Sequence, residues 1–225
     1  MDRLGRGPLI AAVVLATVCV LLALSQLLLP GIAASRLRTR LSRNGVVERV
    51  SVSAFPALKL LWGHADKVTV HYASMHVNNA RVSSLMGQSR NVGKVDVYAR
   101  TLDIGPLSLT NAVLHKRGDQ LTGEAALSTA ALSHALPSGF SVQPVASGNG
   151  ELELRASASL FGLGVSADVL LEAQEGSLVL VPIGIPIIGS SLRLTVFNEP
   201  NARVSGVGAR TQAGGYLLTA QGRLG

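Results

Sequence analysis

Hydrophobic and polar positions follow two different rules along this chain. From Leu9 to Leu29 the residues are almost all apolar, broken only by Thr17, Ser25 and Gln26, and no charge lies between Arg6 and Arg36. From Val46 onward apolar and polar residues alternate, the period of a strand that turns one face to a core. The cleanest case sets Leu152, Leu154, Ala156, Ala158 and Leu160 against Glu151, Glu153, Arg155, Ser157 and Ser159. After a break at Phe161-Gly162 the alternation resumes with Leu163, Val165, Ala167, Val169 and Leu171 against Ser166, Asp168 and Glu172. The two runs predict a long antiparallel hairpin.

The same period predicts strands at Val46–Ser53, Lys67–Met75, Gly93–Ile104, Leu107–His115, Gln120–Leu127, Ser177–Ile183, Leu192–Phe197, Arg203–Ala209 and Tyr216–Gln221. Turn residues separate them at Arg117-Gly118-Asp119, Glu175-Gly176, Asn198-Glu199-Pro200-Asn201 and Gly214-Gly215. The stretch Ser177 to Ile188 is apolar on both faces, so it is a strand buried on both sides, one that meets membrane, or one that borders a lipid cavity. Helical signals are few. Ser128 is a good N-cap for a helix over Thr129–Leu136, a second helix covers part of Ala80–Gln88, and Pro56–Trp62 suits a single turn. After a break at Pro30-Gly31, Ser35–Arg43 predicts a short amphipathic helix with Leu37 and Leu41 on one side, either a stalk or a surface-lying helix. The fold class is therefore α+β with β dominant.

At about 1.5 Å per residue, the apolar run from Leu9 to Leu29 is long enough for one transmembrane helix across a hydrocarbon core of about 30 Å. It exceeds the apolar core of about 7–15 residues of a cleavable signal peptide, which favours an uncleaved signal anchor. Gly31-Ile32-Ala33-Ala34-Ser35 offers the alternative, a small-residue site for cleavage after Ala33 or Ala34. The expected domains are an anchor over 1–34 and a β-rich body over 35–225. Two arginines before the segment and four close behind it would place the body in the cytoplasm by the positive-inside rule. A short basic head ahead of a long body instead behaves as an export signal, and on that ground the body is expected outside the cytoplasm, in the cell envelope.

Hydrophobic residues make up 48% of the chain and aromatics only 4%, so the apolar content is aliphatic, suited equally to self-packing and to acyl chains. The net charge is +7, which suits anionic surfaces. Its basic residues are scattered and not interleaved with aromatics, which argues against nucleic acid. The only cluster, Arg36, Arg38, Arg40 and Arg43, directly follows the apolar run and reads as headgroup contacts. Cys19 lies inside that run with Val18 before it, which fits neither a lipoprotein site nor a disulfide. No catalytic motif is present, and His64, His71, His76, His115 and His134 show no metal-ligand spacing, so no enzyme activity, metal or cofactor is expected. Gly206-x-Gly208 reads as a sheet distortion, not a phosphate loop.

The most distinctive stretch runs from Phe55 to Gly63 and holds the only tryptophan. Amphipathic aromatics favour membrane interfaces or the lip of an apolar pocket, and the same pattern also serves a helical plug packed on a sheet. Phe55, Leu58, Leu61 and Trp62 are the candidates for an apolar lip, with Arg36, Arg38, Arg40 and Lys59 as headgroup contacts.

Several segments in fixed order carry a resemblance. A membrane segment is followed by a basic Arg-Leu-Arg-x-Arg-Leu helix, then Gly45-Val46-Val47-Glu48-Arg49-Val50-Ser51-Val52, Phe55-Pro56-x-Leu58, Trp62-Gly63, the Lys67-Val68-Thr69-Val70 strand, and Gly215-Tyr216-Leu217-Leu218-Thr219-Ala220-Gln221-Gly222. Over roughly Ser35 to Gly222 the chain resembles the LmeA-like phospholipid-binding proteins of actinobacteria. The resemblance implies an extracytoplasmic phospholipid binder that supports envelope lipoglycan assembly. It also implies a fold similar to tubular lipid-binding domains, a long curved antiparallel sheet wrapped against a helix. The expected partners are an anionic phospholipid and the membrane. The rival expectation is an anchored β-domain that binds a protein and no lipid.

Overall fold

The computed structural model describes residues 25–26, 28–77, 86–87, 89–160, 163–183, 193–198 and 200–225. Residues 28–41 form helix α1, and a 3-10 turn, Ser42–Asn44, leads into β1 (Gly45–Ser53). A 3-10 segment, Ala57–Trp62, precedes β2 (Ala65–Val77), β3 (Val92–Ile104), β4 (Leu107–Arg117) and β5 (Gln120–Ser128). Helix α2 (Thr129–Ala135) then precedes β6 (Phe140–Gly148), β7 (Glu151–Leu160), β8 (Leu163–Gln174), β9 (Ser177–Ile183), β10 (Leu194–Phe197), β11 (Ala202–Gln212) and β12 (Gly215–Leu224). The β-dominant reading holds, and Ser128 caps α2 as expected, its hydroxyl accepting the Ala131 N–H at 3.1 Å.

The strands form two sheets where one was expected. The first has seven strands in the order β1-β2-β3-β4-β5-β12-β11, the second five in the order β10-β9-β8-β7-β6. The expected antiparallel pairing fails at one place, because β2 and β3 pair in parallel, Val68 with Val95 and Val70 with Val97. A parallel pair needs a longer connection than a hairpin; most of the connection, residues 78–91, and with it the helix expected in Ala80–Gln88, lies outside the described residues. The β7–β8 hairpin has the expected register, with Leu152 opposite Leu171 and Leu160 opposite Leu163.

One strand, β6, has no counterpart in the alternation pattern. Pro144 lies inside it and has no N–H for a ladder, which is tolerated because β6 is an edge strand. At the amino end, α1 does not break at Pro30-Gly31. It runs through both residues and packs on the seven-stranded sheet, with Leu41 buried and Ala33, Ala34 and Leu37 against the core. It is thus neither a free stalk nor a helix lying on a separate surface, although its arginines stay exposed. Among the described residues, no helix is long and apolar enough to cross a membrane. The Leu9–Leu29 run lies almost entirely outside those residues.

In the seven-stranded sheet the face toward α1 carries Val47, Val52, Val68, Val70, Tyr72, Ala99, Leu109, Ala112, Ala125 and Leu127, which together with Leu41 form the buried core. Around it lies a margin of half-buried aliphatics, including Val97, Leu102, Leu107, Leu132 and Leu218. Val70 and Tyr72 at its centre are nearly sealed, each 3% exposed, whereas the described residues cover the margin only in part.

The two sheets meet at β11, where turns of the second sheet meet an edge of the first. The Val204 N–H donates to Gly176 O at 2.8 Å, the Val207 N–H to Gly150 O at 2.8 Å, and the Ala209 N–H to the Ser147 hydroxyl at 3.1 Å. These are the donors that the free side of an edge strand leaves unpaired. A bulge between Val204 and Gly206 adjusts their spacing, so the paired glycines do mark a sheet distortion. A Cβ on Gly206 would lie 3.0 Å from the Gly150 Cα, so any side chain there would press the two backbones apart by a few tenths of an ångström.

Across the second sheet, paired residues share one face and make it aliphatic: Leu194, Leu180, Leu171 and Leu152 in one row, Pro182, Val169, Leu154 and Pro144 in the next. On the opposite face Val179 and Val181 stand beside Glu172 and Leu170, so β9 carries apolar residues on both sides, as its sequence requires. The end of that doubly apolar stretch, from residue 184 on, lies outside the described residues.

The joint makes a prediction. Ser147→Ala strands the Ala209 N–H in a buried position, and stability should fall by about 1–3 kcal/mol. Urea unfolding of the variant beside the parent protein measures it, and an unchanged midpoint would show that the turn contact does not hold the sheets together.

Candidate functional site

One end of the seven-stranded sheet gathers the carboxyl ends of β1 and β4 and the amino ends of β2 and β3. The 3-10 segment Ala57–Trp62 closes this end. A 3-10 helix repeats every three residues, so Ala57 and Leu60 share an inner side. Ala57 is completely buried and Leu60 packs on the core. Leu58 is half-buried, while Leu61 and Trp62 are exposed. Gly63, in the left-handed region at φ 74, ends the segment by donating its N–H to Leu60 O at 3.1 Å.

Asp66 on β2 fastens this segment to the sheet. Its carboxylate accepts the Phe55 N–H at 2.6 Å and pairs with the Lys59 ammonium at 3.3 Å. The Phe55 bond, and secondarily Lys59, hold the Asp66 pKa below the ordinary carboxylate value.

Behind the segment lies an open pocket of about 570 Å³, within the usual size of a ligand site. Lys59, Trp62, Asp66, Arg90, Lys94 and Lys116 supply its chemistry, and Ala65 and Val92 are its apolar floor, in contact with the core. Lys116 is unusual. It follows Ala112 and Leu114 on the inner face of β4, where alternation would place a hydrophobic residue, and it is only 3% exposed. Its Nζ donates to Val92 O at 2.5 Å. Burial lowers its pKa, with Asp119 acting weakly in the opposite sense. An ammonium has three donors, and the Val92 bond takes one. The other two can serve an anionic oxygen entering the pocket.

On the outer face of the same strands, Asp96 is 3% exposed and ringed by basic side chains from the two flanking strands: Lys67 of β2 at 3.1 Å, and His115 and Arg117 of β4, each at 2.6 Å. Burial alone would raise its pKa. The hydrogen bonds from His115, Arg117 and Lys67 outweigh burial and hold it at about 2. Beside this group Tyr98 stacks on His71 at 4.8 Å and meets His115 edge-on at 6.0 Å. Among the described residues, no group of histidine, cysteine and acidic side chains could hold a metal ion.

The expected site residues fall into separate groups. Lys59 and Trp62 line the pocket; Phe55 and Leu61 stand beside it, exposed, and Leu58 lies between the two environments. Arg36, Arg38 and Arg40 are exposed on α1. Arg38 donates to Val47 O at 3.3 Å, and Val47 lies six positions along β1 from Ser53 at the pocket end, about 20 Å away at the rise of a strand. The structure does not bring Arg38 and Lys59 to one spot.

A profile of the LmeA-like phospholipid-binding family matches residues 26–213. The chain belongs to that family. The match covers α1, both sheets as far as β11, and every residue of the pocket. No curated protein and no solved structure matches the chain. Membership makes phospholipid the ligand class against which the pocket is to be read.

The sequence reading missed Lys116 and Asp96. Lys116 left a signal, a lysine on the apolar phase of an alternating strand. Asp96 left none, because its partners come from β2 and β4 and meet it only once the strands pair.

The Asp96 cluster gives the fold a defined acid sensitivity. A carboxylate whose folded pKa of about 2 lies below its unfolded value of 3.8 contributes stability that is complete above about pH 4 and is lost as pH falls toward 2. Asp96→Asn leaves the Lys67 and Arg117 cations without their shared carboxylate and should cost on the order of 3 kcal/mol at neutral pH. It should also flatten the decline between pH 4 and 2. Thermal unfolding of both proteins across that range tests the claim, and parallel curves would refute it.

Proposed function

We propose that this chain is a membrane-anchored, extracytoplasmic phospholipid-binding protein that takes an anionic phospholipid and supports assembly of envelope lipids or lipoglycans, without turning its ligand over. The observation that carries the reading is a buried ammonium with spare donors, Lys116, set where an open pocket with basic side chains adjoins the partly covered margin of the aliphatic sheet face. A phosphate at Lys116, with Lys59 at the rim, would answer the charge. The acyl chains would pass Trp62, Ala65 and Val92 toward the half-buried aliphatics of the inner face.

The magnitudes favour such a ligand. Burying ten methylenes contributes about 8 kcal/mol, enough to offset much of the roughly 4–15 kcal/mol lost on immobilising a ligand. The charge-assisted contact then selects the headgroup. The anchor and the location of the body rest on the Leu9–Leu29 run and on the export reading of its short basic head. The absence of turnover rests on the lack of any catalytic motif in the sequence.

Native mass spectrometry of the purified full chain, with lipid extraction, should recover bound phospholipid enriched in anionic species. Lys116→Leu should weaken that binding by about tenfold, the value of one hydrogen bond to a charged group, without lowering the melting temperature. Lipid that merely surrounds the anchor would be retained equally by both proteins. The proposal fails if no lipid is recovered and added anionic phospholipid does not raise the melting temperature.

A further inference from the structure

The three most exposed large apolar side chains among the described residues are Phe55 at 78%, Trp62 at 72% and Leu61 at 64%, and all three lie in one short stretch. Single exposed hydrophobics are ordinary. A cluster of them marks a contact surface. This one is also held in place: Ala57 is buried beneath it, Asp66 grips the Phe55 backbone, and Gly63 closes its end. A segment tied down at three points does not expose these side chains by fraying.

The charges around the cluster have one sign in excess. Of the residues lining the adjoining pocket, Lys59, Arg90, Lys94 and Lys116 are basic and only Asp66 and Asp119 are acidic. Lys94 is exposed and makes no ion pair among the described residues. Apolar and aromatic side chains beside the unpaired Lys94 ammonium, in surroundings with an excess of basic side chains, match the interface of a bilayer with anionic headgroups, where indole rings settle and each nearby lysine or arginine contributes about 1 kcal/mol.

We infer that this end of the seven-stranded sheet is a bilayer-docking surface, at which Phe55, Leu61 and Trp62 enter the interface of an anionic membrane and Lys94 and Lys59 meet its headgroups. Docking would set the pocket mouth at the level of the lipids. It would do so through a surface separate from the anchor and whatever the pocket holds.

Trp62 is the only tryptophan in the chain, so indole fluorescence reads this site alone. The full chain is reconstituted into phosphatidylcholine vesicles with and without phosphatidylglycerol, using lipids brominated at the top of the acyl chains. With phosphatidylglycerol present, Trp62 emission should move to shorter wavelength, be quenched by the bromines and be shielded from iodide. Lys94→Ala should weaken docking about fivefold, the equivalent of that 1 kcal/mol. The double variant Phe55→Ser, Leu61→Ser should lose the quenching, with circular dichroism confirming its fold. Emission that stays water-like and open to iodide overturns docking, and directs attention to a protein partner. So does quenching that survives the double substitution, since only a lipid inside the pocket would then be reaching the indole. Failure of the phospholipid reading shows separately, as the absence of co-purified lipid.

Discussion

A sheet with one aliphatic face must cover that face, and the rest of this molecule follows from how incompletely the chain does so. Helix α1, the 3-10 segment Ala57–Trp62 and α2 lie along the seven-stranded sheet, yet around a core of aliphatic side chains and Tyr72 they leave a broad margin half-buried. Interiors of ordinary domains are close-packed, and filling them is the main source of stability. A chain that stops short of this forgoes stabilisation unless something else completes the layer. Membership of a phospholipid-binding family names a suitable complement, a hydrocarbon chain.

The polar features compensate at the margins. Asp96 binds β2, β3 and β4 into one electrostatic unit on the outer face, where the sheet has no second layer of its own among the described elements. Asp66 does the same for the pocket end by gripping the segment that carries Trp62. Lys116 differs from both. A cation on the apolar phase of a strand costs desolvation and gains little from a single carbonyl, so it weakens the fold, a cost that the anion site proposed above would account for.

Much of this was legible along the chain, and the limits have physical causes. Alternation located the strands because each has a wet and a dry face, and it fixed the β7–β8 register through the position of Phe161-Gly162. It missed β6, where Pro144 interrupts the period. It could not reveal the parallel pairing of β2 with β3, since local pattern does not encode a strand's partner. The division into two sheets depends on turn carbonyls at Gly150 and Gly176 reaching β11, a contact between residues distant in sequence. The stretch that places Lys59 and Trp62 at the pocket stood out because aromatic and aliphatic bulk beside a lysine is rare in so aliphatic a chain. The arginines of α1 were grouped with Lys59 by charge alone, and α1 keeps them elsewhere.

The boundaries of the two sheets have a consequence for how copies of the protein coexist. Exposed strand edges invite pairing with a neighbour, most of all in a chain so rich in aliphatic strands. Here each edge is blunted by a different means. β1 carries register breaks around Val47, whose carbonyl Arg38 occupies, and β11 spends its donors on turns. β10 is only four residues long, and β6 contains Pro144. A molecule adapted to hydrocarbon can therefore be crowded against others of its kind without the strands of one copy extending the sheets of the next.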